Sequence, residues 1–116
     1  MNLDVRPTVH PGLAVVSARG ELDLAGAPEL RTALSDHLSE GNGYVLLDLT
    51  AVTFIDSTGL GIVVGAGKRA QALGGCLRIV CDNTRVLRLL ALTGITKTLG
   101  VFPTFDEAVA DWPPES

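Results

Sequence analysis

The stretch "FIDSTGLGIVVGAGKR", residues 54–69, decides how this chain folds and raises the question of what it does. It places an acid and two hydroxyls where an apolar strand gives way to a helix, and four glycines follow within that helix. Each glycine inside a helix costs about 1 kcal/mol relative to alanine. Three interpretations compete: a plain helix cap, a phosphate-binding loop of a nucleotide enzyme, and a hydroxyl offered to another protein.

The segments on either side of this stretch predict alternating strands and helices. Apolar and polar side chains alternate over residues 3–9, as in a half-buried strand, and Pro7 places that strand at a sheet edge. Further strands are expected at 13–20, 44–50, 76–81 and 97–102, with helices at 28–41, 57–73, 85–94 and after Thr104. This order predicts an α/β fold with a mixed, mostly parallel sheet of four to five strands, an initial antiparallel hairpin and about four α-helices.

Length and composition indicate one domain, and we place it at residues 1–112 with a frayed tail at 113–116. No apolar run approaches the roughly 20 residues of a membrane span, so we expect a cytoplasmic protein without membrane contact. The net charge of −4 and the lack of a Lys/Arg cluster argue against direct nucleic-acid binding. Cys76 and Cys81 have neither the number nor the spacing of zinc ligands and are expected to be buried, reduced thiols.

The enzyme interpretations fail on spacing. A Walker loop requires a hydroxyl after Gly67-Lys68, where Arg69 stands, and a glycine at the position of Ile62. The dinucleotide fingerprint lacks its third glycine in "GLGIVV", and "GAGKRA" lies within the helix. "DSTG" has one residue too many for an aspartic protease loop and occurs once. We therefore expect a protein that is not an enzyme and binds neither cofactor nor metal.

A helix cap explains only part of the stretch. The side chain of Asp56 or Ser57 would accept hydrogen bonds from the free N–H groups at the helix start. Capping does not explain Gly59 and Gly61, or why Gly61 and Gly65 clear one face of the helix. Either another protein comes close to the helix, or the domain's own sheet packs tightly against it. The residue pattern leaves both explanations open.

Three motifs together resemble one family. Gly20-Glu21-Leu22-Asp23 is similar to its "GE(L/I)D" loop, residues 56–61 ("DSTGLG") to its "DS(S/T)GLG" signature, and residues 92–99 ("LTGITKTL") to its segment before the last strand. From about residue 3 to residue 110 the chain resembles the anti-sigma factor antagonists, the bacterial STAS domains. The resemblance implies a STAS-type fold.

The resemblance also implies a function. The unphosphorylated domain would bind an anti-sigma factor that is an ATP-bound serine kinase and so release a sigma factor. The kinase would phosphorylate Ser57 and dissolve the complex, and a serine phosphatase would reset it. The domain itself would be a monomer. The expected partner-contacting residues are Asp23, Asp56, Ser57, Thr58, Gly59 and Gly61.

Some alternatives stay open beside this hypothesis. Asp23 either contacts the kinase near its nucleotide site or is a solvated turn carboxylate. Thr58 is expected to be a residue of the helix start and at most a minor phosphate acceptor. A domain of this kind that senses a nucleotide or small ligand, or serves as a scaffold in a stress-signalling complex, is the alternative function.

Overall fold

A computed structural model of the chain describes residues 3–10 and 12–113. It begins with an antiparallel hairpin of β1 (Leu3–His10) and β2 (Leu13–Leu22). Pro7 lies in β1, opposite Val16, and β1 is an edge strand of the sheet. The edge position predicted from that proline is confirmed, because a residue without an N–H is tolerated where no further strand pairs.

Helical crossovers connect the remaining strands, which are parallel to β2 and to one another. The five strands lie in the sheet in chain order, β1-β2-β3-β4-β5. The predicted mixed, mostly parallel α/β fold is therefore confirmed. The remaining elements are α1 (Ala27–Ser39), β3 (Tyr44–Ile55), α2 (Ser57–Ala72), β4 (Cys76–Val80), α3 (Thr84–Leu92), α4 (Ile95–Thr98), β5 (Gly100–Phe102) and α5 (Phe105–Val109).

The strand boundaries differ most from expectation at three places. β2 continues through Leu22, and β3 runs on to Ile55, immediately before the helix. The last strand begins only at Gly100, because residues 95–98 form a helical turn. Ile95 and Leu99 are four residues apart and both buried, and a helical turn brings such a pair onto one face. Of the tail expected at 113–116, residues 114–116 lie outside the described residues.

Apolar side chains cover both faces of the sheet. On one face α1, α2 and α3 pack over residues such as Val16 and Leu47. On the other face α5 and Trp112 cover Val15 and Leu46. The strands that lie between these layers place their carboxyl ends, and the loops that follow them, along one edge of the domain.

The two cysteines have different environments. Cys81 is buried and Cys76 only half-buried, so the expectation of two buried thiols holds for Cys81 alone. Burial raises the pKa of the Cys81 thiol, because the thiolate is poorly solvated there. Cys81 is therefore an uncharged core residue at neutral pH.

Candidate functional site

The predicted site residues come together at the carboxyl ends of β2 and β3. Leu22 and Ile55 are paired in the sheet and end these two strands. The loop at residues 23–26 and the start of α2 therefore emerge side by side. In parallel sheets this edge is where functional loops gather.

Asp56 is the N-cap of α2 and joins the two loops. Its Oδ1 accepts a hydrogen bond from the backbone N–H of Gly59 at 3.0 Å. Its Oδ2 accepts one from the backbone N–H of Leu24 at 3.2 Å. One carboxylate thus caps the helix and fixes the neighbouring loop, as expected for an N-cap aspartate that also satisfies a second donor.

Ser57 is the first residue of α2, and its side chain is exposed. Because Asp56 supplies the cap, the Ser57 hydroxyl is not needed for that role and has no hydrogen-bond partner within residues 3–10 and 12–113. The backbone N–H groups of Ser57 and Thr58 likewise have no acceptor among these residues. Helix geometry leaves such donors free at the first positions. An accessible hydroxyl therefore lies beside two free donors at the positive end of the helix.

Asp23 lies in the adjacent loop and bonds to its own backbone. Its Oδ1 accepts hydrogen bonds from the N–H groups of Ala25 and Gly26, both at 3.1 Å. This is the geometry of a turn-forming aspartate. It accounts for an aspartate at this position without a partner, so a contact between Asp23 and a kinase stays a prediction.

The four glycines of α2 divide into two pairs. A Cβ on Gly59 would lie 2.6 Å from Cγ of Leu22 and 2.7 Å from the Leu22 carbonyl oxygen. A Cβ on Gly67 would lie 2.8 Å from Cδ2 of Leu99. Around Gly61 and Gly65 the same atom would meet nothing within 4 Å. Close packing inside the domain therefore explains the glycine at position 59, which is buried, without any partner, so a partner contact at Gly59 stays a prediction. Gly61 faces open space.

A groove of about 480 Å³ runs between α1 and α2, with Ser57 among its lining residues. The guanidinium of Arg69 on α2 reaches across to α1, where Nη1 donates to Oγ of Ser35 at 3.1 Å and Nη2 to Oγ of Ser39 at 3.5 Å. The lining residues are Arg31, Leu34, Ser35, Leu38, Ser57, Thr58, Gly61, Ile62, Gly65, Ala66 and Arg69.

Two exposed apolar side chains near the site were not anticipated from the sequence. Leu24 is 72% exposed and Phe54 is 40% exposed. Leu24 donates its N–H to Asp56, and Phe54 lies two residues before Asp56 in the chain. A leucine in a polar turn was the available signal for Leu24. Phe54 gave none, because shifts in the β2–β3 register decide which β3 residues face outward.

Within the described part of the chain, no three His, Cys, Asp or Glu side chains lie close enough to hold a metal ion. No helix among these residues is long and apolar enough to cross a membrane. What the site presents chemically is the exposed hydroxyl of Ser57 beside free N–H donors, with the exposed side chain of Leu24 in the adjoining loop.

Comparison with known proteins assigns this arrangement to a family. The model of the STAS domain matches residues 4–108. An anti-sigma-B factor antagonist of Staphylococcus epidermidis is 35% identical over 101 residues, which cover 87% of this chain and 94% of that protein. The crystal structure of an anti-sigma factor antagonist from Mycobacterium paratuberculosis superimposes with a TM-score of 0.86 at 30% identity, covering 93% of this chain and 92% of that one. With its motifs, sheet order and relatives in agreement, the chain belongs to the STAS domain family.

Proposed function

We propose that this chain is an anti-sigma factor antagonist: its unphosphorylated form binds an anti-sigma factor and frees a sigma factor, and a phosphate on Ser57 dissolves that complex. The observation that carries the proposal is the exposed Ser57 hydroxyl, which the fold does not use because Asp56 caps the helix. The names of the relatives that match over nearly the whole chain support the antagonist role.

The domain is built to tolerate a phosphate at Ser57. Phosphorylation adds about −1.5 to −2 charges at neutral pH. The free N–H groups of Ser57 and Thr58 and the helix dipole favour a negative charge there, by about 0.3–1 kcal/mol for an exposed group. Asp56 opposes it by like-charge repulsion, but that carboxylate is engaged with two backbone donors. The modified domain should therefore keep its fold.

A protein interface over the same residues would not tolerate the phosphate. Leu24, whose N–H donates to Asp56 beside Ser57, offers exposed apolar surface, and burying it against a partner would exclude water from the hydroxyl as well. A charge trapped in such a contact without a fitted partner costs several kcal/mol, and about 1.4 kcal/mol already changes affinity tenfold. Binding is lost without any refolding.

The partners follow from this switch. The anti-sigma factor is the ATP-bound serine kinase that modifies Ser57, and a serine phosphatase restores the hydroxyl. Both act in the cytoplasm, where sigma factors meet RNA polymerase. The chain itself is a phosphate acceptor that turns over no substrate.

Phosphate transfer in vitro tests the proposal. The chain is mixed with the anti-sigma factor kinase of the same genome and ATP, and the product is mapped by mass spectrometry. We expect one phosphate on Ser57, none on a Ser57→Ala variant, and unchanged transfer to a Thr58→Ala variant, which serves as the matched control. Modification of Thr58 with Ser57 untouched, or undiminished transfer to Ser57→Ala, would refute the switch residue.

A further inference from the structure

The groove between α1 and α2 carries positive charge in an acidic protein. The whole chain has a net charge of −4, yet the two charged residues that line the groove are Arg31 and Arg69. No carboxylate of the described residues lines it. The local charge of the groove is therefore opposite to that of the molecule.

No carboxylate in the part of the chain that the structure describes neutralises these two cations. Arg31 is exposed and forms neither an ion pair nor a hydrogen bond with any side chain or backbone group that the structure describes. Among the described residues, the hydrogen-bond partners of Arg69 are the neutral hydroxyls of Ser35 and Ser39. A guanidinium has five donors in a planar fork that suits carboxylates, so both residues keep capacity for an acidic ligand.

The surface between the cations is apolar and unobstructed. Leu34 of α1 and Ile62 and Ala66 of α2 form the floor. Gly61 and Gly65 lie one turn apart on α2 and leave open space above the helix. Another chain can thus approach the backbone of α2 more closely here than at a position with a side chain.

We propose that this groove seats an acidic, amphipathic segment of the anti-sigma factor, with carboxylates on Arg31 and Arg69 and apolar side chains over Leu34 and Ile62. This inference rests on the proposed function and deepens it by naming the surface and the chemistry of the partner segment. Ser57 and Thr58 line the same groove, so the phosphorylated residue and the surface that binds the acidic segment are continuous.

The geometry also gives the phosphate a second way to act. A phosphate dianion on Ser57 lies in the wall of a groove that attracts carboxylates. It repels the incoming acidic segment and competes with it for the positive charge. With the segment bound in this groove, phosphorylation of Ser57 lowers the affinity for the anti-sigma factor more than loss of the contact at Ser57 alone would.

Charge reversal of cations inside and outside the groove tests whether the groove binds the acidic segment. Affinity for the anti-sigma factor kinase of the same genome is measured by titration calorimetry for Arg31→Glu, Arg69→Glu, the double variant and Lys68→Glu. Lys68 is the matched control, since it is an exposed cation on α2, adjacent to Arg69, and does not line the groove. We expect about tenfold weaker binding for each groove variant, more for the double variant, and a change within about threefold for Lys68→Glu.

Bulk in the groove is a second, charge-independent test. Gly65→Leu should weaken binding, whereas Ala72→Leu, which places the same side chain on an exposed α2 position outside the groove, should not. Thermal unfolding of every variant checks the fold. Arg31→Glu is the cleaner charge variant, because Arg69 has the hydrogen bonds to Ser35 and Ser39 to lose.

The outcomes separate the seat from the switch. Equal losses of affinity for Arg69→Glu and Lys68→Glu would show that only the overall charge of the domain matters, and would overturn the proposed role of the groove. If all groove variants keep wild-type affinity while Ser57→Asp still abolishes binding, the groove does not bind the segment, and the proposed function is unaffected. Restored binding of Arg31→Glu to a kinase in which one acidic residue is changed to arginine would support it directly. If the unmodified chain does not bind the kinase, both proposals are wrong.

Discussion

The two glycine pairs of α2 lie in one helix and exist for opposite reasons. Gly59 and Gly67 face the body of the domain, where a single added carbon would meet Leu22 or Leu99. Gly61 and Gly65 face outward, where the same carbon would meet nothing. The inner pair is required by the fold, whereas the outer pair only weakens the helix, at about 1 kcal/mol each. A residue that lowers stability although packing does not require it indicates that binding to another molecule requires it.

This difference separates what substitutions should do. Changes on the inner face alter the free energy of unfolding, and changes on the outer face alter binding to the anti-sigma factor. Asp56 lies at the boundary, because it caps the helix and also holds the Leu24 loop. Substitutions at four positions probe this division.

The largest effect is expected from a charge at Ser57. Ser57→Asp should lower affinity for the anti-sigma factor kinase by about a hundredfold or more, because a carboxylate would be desolvated in the interface. Its melting temperature should stay near that of the wild type, since a negative charge at the helix start is favourable. Calorimetry and thermal unfolding measure the two quantities. Ser57→Asn is the control with the same shape and no charge, and an equal loss in both variants would show that size and not charge breaks the contact.

Gly59→Ala should destabilise the fold by about 1–3 kcal/mol, as expected for overpacking against atoms that cannot move. The added Cβ would lie 2.7 Å from a backbone oxygen of Leu22. Gly67→Ala is the matched comparison on the same face. It should cost less, because its nearest neighbour is the flexible end of Leu99 at 2.8 Å. Urea unfolding gives the free energy of unfolding of both variants, provided that the m-value does not change. A Gly59→Ala variant as stable as the wild type would contradict the close approach of Gly59 to Leu22.

Asp56→Ala should cost about 1 kcal/mol, within the range of 0.5–2 kcal/mol found for lost N-caps. Asp56→Asn separates its two roles. The amide oxygen can still accept from Gly59, whereas the NH₂ group cannot accept from Leu24. We expect Asp56→Asn to keep most of the stability while hydrogen exchange of the Leu24 amide becomes faster. Unchanged exchange at Leu24 would mean that the carboxylate does not hold the loop.

The sequence predicted the architecture well because its signals are local. Pro7 predicted the edge strand. The helix expected after Thr104 is also confirmed, and Oγ1 of Thr104 caps it by accepting a hydrogen bond from the Glu107 N–H at 3.2 Å. The sequence also predicted a cap at Asp56 or Ser57 but left the choice open. The structure shows that Asp56 is the cap, and its carboxylate also accepts from Leu24, which is far away in the chain. Long-range contacts of this kind are absent from a local pattern.

For the same reason the roles of the four glycines could not be separated beforehand. Their spacing is visible in the sequence, but their neighbours are not. Leu22 and Leu99 come close only through the sheet and the turn at residues 95–98. The groove cations were missed as well, because Arg31 and Arg69 belong to different helices that the fold places side by side.

The smallest effect, and the one that bears most directly on the glycine comparison, is that of Gly65→Ala. The new methyl group meets nothing within 4 Å, so the substitution should stabilise the domain by about 0.5–1 kcal/mol through helix propensity and a less flexible unfolded chain. If the outer pair leaves room for a partner, the same variant should bind the anti-sigma factor more weakly although it is more stable. Ala72→Gly, at an exposed position of α2 outside the groove, is the reverse control and should lose stability with affinity unchanged. A Gly65→Ala variant that gains stability and keeps full affinity would show that no partner requires the open face at this position.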